Sequence, residues 1–247
     1  MTLHAFSRSE LILGTNPLNK LRNSTVAIFG IGGVGTFATE ALARTAVGKL
    51  VLIDNDDISL TNINRQIHAT YSTIGEPKVE VMKKRILDIN PEAEVITFRQ
   101  LYNEVTAEKL LNYKYDYVVD AIDMVSAKID LIERCKMKGI PIISSMGAGN
   151  KLNPTEFIVD DIYNTSVCPL ARVLRKELKK RNIKDLKVVY SKEKPVKGSQ
   201  LEHGCINQDC SIAQTTGHQI PGSIAFVPSV VGLIIASVVI KDLLQWE

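Results

Sequence analysis

Residues 25–35 read TVAIFGIGGVG. A short apolar run, Thr25–Phe29, breaks at a loop containing Gly30, Gly32, Gly33 and Gly35, and a stretch with helical spacing, Val34–Ala46, follows. Strand, glycine loop and helix in that order form the context a phosphate-binding turn requires. Glycines allow the tight turn and the close approach of backbone to phosphate, and the helix start offers free N–H groups and partial positive charge. Working outward, Lys49–Asp54 (KLVLID) reads as a second strand that ends on Asp54, where a carboxylate can accept hydrogen bonds from ribose hydroxyls. A glycine turn without a ligand is the plain alternative, and the flanking strand and helix disfavour it.

The alternation continues. Helical spacing over Lys78–Ile89 is followed by the strand Glu94–Phe98. A short helix, Thr106–Leu111, precedes the strand Tyr115–Asp120, and the helix Val125–Lys138 precedes the strand Pro141–Ser145. Strands alternating with helices predict βαβ units, a mostly parallel sheet and, through right-handed crossovers, helices on both faces. The second half is less regular. Phe157–Ile162 and Lys187–Tyr190 read as strands, Pro169–Arg181 as a basic helix opened by proline, residues 191–223 as a long, mobile loop, and Ser229–Leu244 as a buried helix.

Composition bounds the rest. The chain has 247 residues, 45% hydrophobic and 23% charged, with a net charge of +3, an ordinary globular mixture that excludes disordered and collagen-like classes. Cys135, Cys168, Cys205 and Cys210 are too few and too scattered for a disulfide-framed domain, and the N-terminus lacks a basic region before an apolar core, so a reducing cytoplasm is expected. Ile224–Ile240 runs 17 residues without a charge, short of the roughly 20 of a membrane span and interrupted by Pro228 and Gly232. It is expected to be a core or interface helix.

The residues after Asp54 decide which nucleotide fits. Asn62-Ile63-Asn64-Arg65-Gln66 and then Lys78 give a polar and cationic cluster that a triphosphate needs and a nicotinamide dinucleotide does not. Arginine supplies planar multi-donor contacts to phosphate, and lysine a point charge. Asp120-Ala121-Ile122-Asp123 falls where the fourth strand ends, and a carboxylate there can hold Mg²⁺ against phosphate oxygens. Taken singly, Arg65 and Lys78 read equally as surface charges, and Asp123 as a helix cap. Their occurrence together at successive strand ends favours a site.

These residues resemble the ThiF/ubiquitin-activating superfamily of adenylating enzymes. The resemblance rests on GIGGVG (Gly30–Gly35), LIDNDDI (Leu52–Ile58), TNINRQ (Thr61–Gln66), Gly75-Glu76-Pro77-Lys78 and DAIDMVSAK (Asp120–Lys128). It implies a Rossmann-like ATP-binding α/β fold with a mostly parallel, mixed-edge sheet. It also implies a single adenylating domain over residues 1–247, with the nucleotide-binding part at about 22–150. Asp54 would lie at the ATP ribose, Asn64, Arg65 and Lys78 at the phosphates, and Asp56 among the nucleotide-binding residues. Gln66 would support the site, and Asp123 would ligate Mg²⁺. The resemblance further implies a homodimer in which Arg8 reaches the neighbouring ATP. It leaves open a monovalent cation and a sulfur-transfer partner protein.

Within the superfamily, members that activate small sulfur-carrier proteins usually hold zinc with two CxxC pairs. No CxxC occurs here, and no zinc is expected. The stretch SVCPLARVLRKELKKRNI (Ser166–Ile183) is instead similar to the basic helix of the tRNA threonylcarbamoyladenosine dehydratases. In that group ATP activates the threonyl carboxylate of a modified adenosine beside the anticodon, and loss of water closes a ring. No protein nucleophile is needed, so Cys205 and Cys210, with His203 near them, read as free thiols rather than a sulfur relay. His68 is open between a pocket-lining and a structural role. Residues 172–197 contain eleven Lys/Arg and three acids, a local +8 in a chain that is otherwise −5. Arg172, Arg175, Lys176 and Lys179 fall on one face of the expected helix as candidate tRNA contacts, and Val173, Leu174 and Leu178 are candidates to dock it. The competing activity is an adenylyltransferase for the C-terminus of a ubiquitin-like sulfur carrier. A nicotinamide-dependent oxidoreductase, or a non-catalytic nucleotide-binding subunit, accounts for fewer of these residues.

Overall fold

The computed structural model describes residues 3–196 and 221–246. Seven strands form one sheet: β1 (Thr25–Phe29), β2 (Lys49–Ile53), β3 (Glu94–Phe98), β4 (Tyr117–Asp120), β5 (Ile142–Ser145), β6 (Phe157–Asp161) and β7 (Lys187–Ser191). Their order is β3-β2-β1-β4-β5-β7-β6. All neighbours pair in parallel except β6, which runs antiparallel to β7 and closes the sheet with a mixed edge. The expected α/β class and the expected mixed edge are both borne out.

The described helices are α1 (Ser7–Leu13), α2 (Thr15–Arg22), α3 (Gly33–Arg44), α4 (Lys78–Ile89), α5 (Glu104–Leu110), α6 (Val125–Met137), α7 (Pro169–Lys180) and α8 (Phe226–Leu244). The two-residue period of the strands sorts side chains to opposite faces. Val26 and Ile28 of β1 join a core with Ala38 of α3, Met82 of α4 and Ile235 of α8, while Ala27 and Phe29 join a second core with Leu110 of α5, Leu131 of α6 and Leu174 of α7. Continuous apolar runs such as VAIF and LVLI are what a sheet covered on both faces requires.

Helix α8 packs most extensively against α3. Gly232 lets the two backbones meet: a Cβ there would lie 2.4 Å from the Val34 carbonyl oxygen and 2.8 Å from the Ala38 nitrogen. With a mean hydropathy of 2.0 over an 18-residue window, α8 is long and apolar enough to cross a membrane by length and composition alone, yet half of that window is buried inside the chain. The helix begins three residues earlier than the sequence pattern suggests, because Pro228 falls in its first turn, where a missing N–H costs little. Helices α1 and α2 were not expected from the sequence pattern.

Candidate ATP-binding site

The site is assembled at the C-terminal ends of β1, β2 and β4. Gly30 leaves β1 at φ +92°, and a Cβ on it would lie 2.6 Å from the Ala121 carbonyl oxygen, so the loop after β4 presses directly on the glycine turn. Gly35, in the first turn of α3, allows a still closer approach to the Gly30 carbonyl. Gly32 is different. Its backbone is extended, at φ −95° and ψ −150°, and among the described residues a Cβ there would meet nothing within 4 Å. Neither that conformation nor packing against the described residues demands glycine at this position, and a bare Cα there would let a ligand approach the backbone closely. Gly32 also caps α3 without a side-chain hydrogen bond, which leaves the amides of the first turn open to that ligand.

Asp54 follows β2 and ties this loop down. One carboxylate oxygen accepts from the Ile31 N–H at 2.7 Å and the other from the Asp56 N–H at 2.8 Å. Burial raises its pKa above the usual carboxylate value, opposed by the Lys78 ammonium and by the two amides. Lys78 starts α4 directly after Pro77; its side chain is largely buried, and its ammonium lies 2.7 Å from the Asp56 carboxylate. Asp54, Asp56 and Lys78 are therefore one cluster, with Asp56 engaged by the lysine.

Arg65 stands beside Gly33, with its Cγ 3.5 Å from the position of a Cβ on that glycine, and donates to the Thr61 carbonyl at 2.7 Å and to Asn64 Oδ1 at 3.0 Å. Asn64 in turn donates to the Ser223 carbonyl at 2.9 Å. Gln66 is buried, and its Oε1 has no partner among the described residues. His68 is buried behind the glycine loop with Nε2 3.2 Å from the Ile31 carbonyl, and desolvation lowers its pKa to about 4. His68 therefore contacts the glycine loop as a neutral ring, with its Nδ1 unpartnered among the described residues.

At the end of β4 the two aspartates part company. Asp120 is fully buried and paired with Lys128, while Asp123, three residues on, is exposed. Among the described residues Asp123 has no hydrogen bond or ion pair, so its carboxylate is the one available at that strand end. A single exposed carboxylate at the strand end fits Mg²⁺, which usually takes one or two protein carboxylates and fills its shell with phosphate and water. No cluster of three or more His, Cys, Asp or Glu with metal-binding geometry occurs among the described residues. Cys205, Cys210 and His203, with most of the expected 191–223 loop, lie outside those residues. Cys135 and Cys168 are buried, and burial pushes the Cys135 thiol up to about 12.

The structure does not bring Arg8 to the loop. Arg8 is exposed on α1, on an N-terminal stretch where Leu3, Leu11 and Ile12 are also exposed. On α7, Arg172, Lys176 and Lys179 are exposed, but Arg175 is a correction: it is half-buried and donates to the Thr165 carbonyl at 2.8 Å and to the Thr165 hydroxyl. Position 175 follows the buried Leu174 and turns toward the chain before α7 rather than toward solvent. Val173 is a second correction. It is 46% exposed, and Ala171, Leu174 and Leu178 dock the helix instead. Three contributors were not read from the sequence: Pro228, which meets a Cβ on Gly33 at 3.1 Å; Ser223; and Lys128. Pro228 and Ser223 act across long stretches of chain, and Lys128 reaches Asp120 and Ser144 across element boundaries, which local patterns do not report.

Comparison with known proteins agrees with this geometry. The chain is 49% identical to the tRNA threonylcarbamoyladenosine dehydratase of Bacillus subtilis, over 98% of this chain and 96% of that protein. Its fold matches the crystal structure of the Escherichia coli tRNA N6-threonylcarbamoyladenosine dehydratase in complex with ATP, with a TM-score of 0.85 and 33% identity over 98% of this chain and 94% of that one. It is 36% identical to the sulfur carrier protein ThiS adenylyltransferase of Escherichia coli, but over only 60% of each chain. The family model for ThiF matches residues 6–247, and the protein belongs to the ThiF family.

Proposed function

We propose that this protein is an ATP-dependent tRNA threonylcarbamoyladenosine dehydratase that works by carboxylate adenylation. The observation that carries the reading is the glycine turn at the start of α3, with Asp54 bound to the Ile31 amide, Arg65 beside Gly33, Lys78 paired with Asp56, and the exposed Asp123 after β4. The near full-length similarity to a dehydratase supports this substrate over the sulfur-carrier alternative.

Asp54 accepts from the ribose hydroxyls, and the first-turn amides of α3 receive the phosphates. Arg65, held by Thr61 and Asn64, and Lys78, held by Asp56, place positive charge where negative charge builds on the α- and β-phosphates. Asp123 would hold Mg²⁺, which when bound neutralises phosphate charge. An oxygen of the threonyl carboxylate attacks the α-phosphorus, the bond to pyrophosphate breaks, and an acyl adenylate forms. An internal nucleophile of the modified adenosine then displaces AMP, so the oxygen of the lost water leaves on AMP. The chain needs no nucleophile of its own, and the active form is a homodimer with Arg8 crossing to the partner. The tRNA docks on α7 through Arg172, Lys176 and Lys179. Lys180 and Arg181 are paired with Glu177, and Arg181 also with Glu133, which makes them weaker contributors. A tRNA substrate fits the expected cytoplasmic location.

The test is incubation with ATP, Mg²⁺ and threonylcarbamoylated tRNA, followed by mass spectrometry of the nucleoside and analysis of the nucleotide products. Loss of water from the nucleoside with release of AMP and pyrophosphate supports the reading. An unchanged nucleoside, or release of ADP and phosphate, overturns it.

A further inference from the structure

Beneath the loop that carries Asp123 lies a buried ion pair that binding of ATP does not itself require. Lys128 on α6, Asp120 at the end of β4 and Ser144 on β5 are all fully buried. The Lys128 ammonium donates to Asp120 Oδ2 at 2.8 Å and to Ser144 Oγ at 3.1 Å, and the Ser144 hydroxyl donates to the same Asp120 oxygen at 2.6 Å. The other Asp120 oxygen accepts from the Ile122 N–H at 3.2 Å. Desolvating two charges is expensive, and an apolar replacement of similar volume is often no less stable, so the value of such a pair lies more in fixing one geometry than in stability.

The geometry fixed here is the exit from β4. Asp120 is held from α6 and β5, and it holds the Ile122 amide; the Ala121 N–H is held by the Phe29 carbonyl at 2.8 Å. The Ala121 carbonyl is the group that a side chain at Gly30 would strike. The chain is thereby fastened at two successive amides just before Asp123 emerges into solvent beside the glycine turn.

We propose that Lys128 is a positioning residue for Asp123: through Asp120 it sets the path of Ala121–Asp123, and hence where that carboxylate meets a divalent cation on ATP. The inference rests on the assignment of Asp123 as the Mg²⁺ ligand, and the experiment separates the two. ATP affinity is measured by titration calorimetry with and without Mg²⁺ for the full chain, Lys128→Met, Asp123→Asn and the double variant, with thermal unfolding as the check on folding. Removing an outer partner of a metal ligand typically costs 10–100-fold in metal affinity, so the Mg²⁺ enhancement of ATP binding should fall about tenfold in Lys128→Met. It should fall no further in the double variant than in Asp123→Asn, because both changes act on one ligand.

A merely structural lysine lowers the unfolding temperature but leaves the Mg²⁺ enhancement intact, and that result overturns the proposal. An enhancement that survives Asp123→Asn overturns the metal assignment instead. Should Lys128→Met fail to fold, Ser144→Ala removes one anchor of the ammonium at the cost of a single oxygen. The expected result is then a smaller but measurable fall in Mg²⁺ enhancement, and an unchanged value again overturns the proposal.

Discussion

Gly232→Ala tests the contact that joins α8 to the nucleotide-binding helix. The added Cβ would sit 2.4 Å from the Val34 carbonyl oxygen, 2.8 Å from the Ala38 nitrogen and 2.8 Å from Phe37 Cβ. Two of these are backbone atoms of α3 that cannot rotate away, so the helices must separate. Overpacking of this kind costs 1–3 kcal/mol, and the backbone character of the clash puts it at about 3 kcal/mol. Alanine in place of glycine within a helix returns about 1 kcal/mol of propensity. The net loss is about 2 kcal/mol, which for a chain of this size lowers the Tm by roughly 4–8 °C. Calorimetric or circular-dichroism melting reads it directly. Ser237→Ala, at an exposed position of the same helix, serves as the control and should move stability by no more than about 0.5 kcal/mol. ATP affinity should weaken together with the Tm, because Pro228 at the start of α8 abuts Gly33. A Tm equal to or above that of the parent would refute the reasoning, since it would mean that the two backbones are not in contact.

Further expectations follow from the same geometry. Asp123→Asn should retain the parent Tm while turnover of ATP to AMP and pyrophosphate falls at least about a hundredfold, because the metal site loses its charged ligand but keeps its shape. Replacing Arg172, Lys176 and Lys179 together with Glu should weaken tRNA binding and flatten its salt dependence by roughly 0.7–0.9 in log–log slope per lost phosphate contact, with ATP affinity unchanged. Mixed dimers of Arg8→Ala and Asp123→Asn chains should recover activity that neither parent has; verified heterodimers without activity would place Arg8 outside the site. His68 should make stability pH-dependent: with a folded pKa of about 4 against 6.5 in the unfolded chain, the unfolded state binds more protons between those values. Stability therefore rises with pH across that window, by up to roughly 3 kcal/mol, and is flat with respect to this group above it. Denaturant titrations from pH 4 to 7 should show the slope in the parent and lose it in His68→Gln.

Most of the sheet was legible because each strand is a short apolar run ending at a turn residue or a functional polar one. The glycine loop was legible because strand, glycines and helix are contiguous. Helices α1 and α2 were not: SRSELIL and TNPLNKLR are mostly polar, and α2 is held by little more than Leu18 and Leu21. The site residues divide in the same way. Asp54 and Lys78 stand at a strand end and a helix start, where position alone is informative, and Arg65 lies in a polar turn between them. The difference between Asp120 and Asp123 depends on Lys128 and Ser144, which reach the aspartate from separate elements. Arg175 shares a helical face with three exposed cations by spacing, yet Thr165, ten residues upstream, takes its guanidinium. Periodicity reports which face a residue occupies, but not what another segment brings against that face.

The seat of Pro228 against Gly33 has a consequence for how the protein is made. The glycine turn is synthesised before its buttress, with nearly two hundred residues translated between them. A nascent chain that has formed β1, β2 and β4 but not α8 presents α3 without its main packing partner, so its nucleotide loop is not yet held in the binding shape. If ATP binds at the glycine turn as proposed, it binds chains in which α8 has docked in preference to those in which it has not, and through mass action it stabilises the docked form.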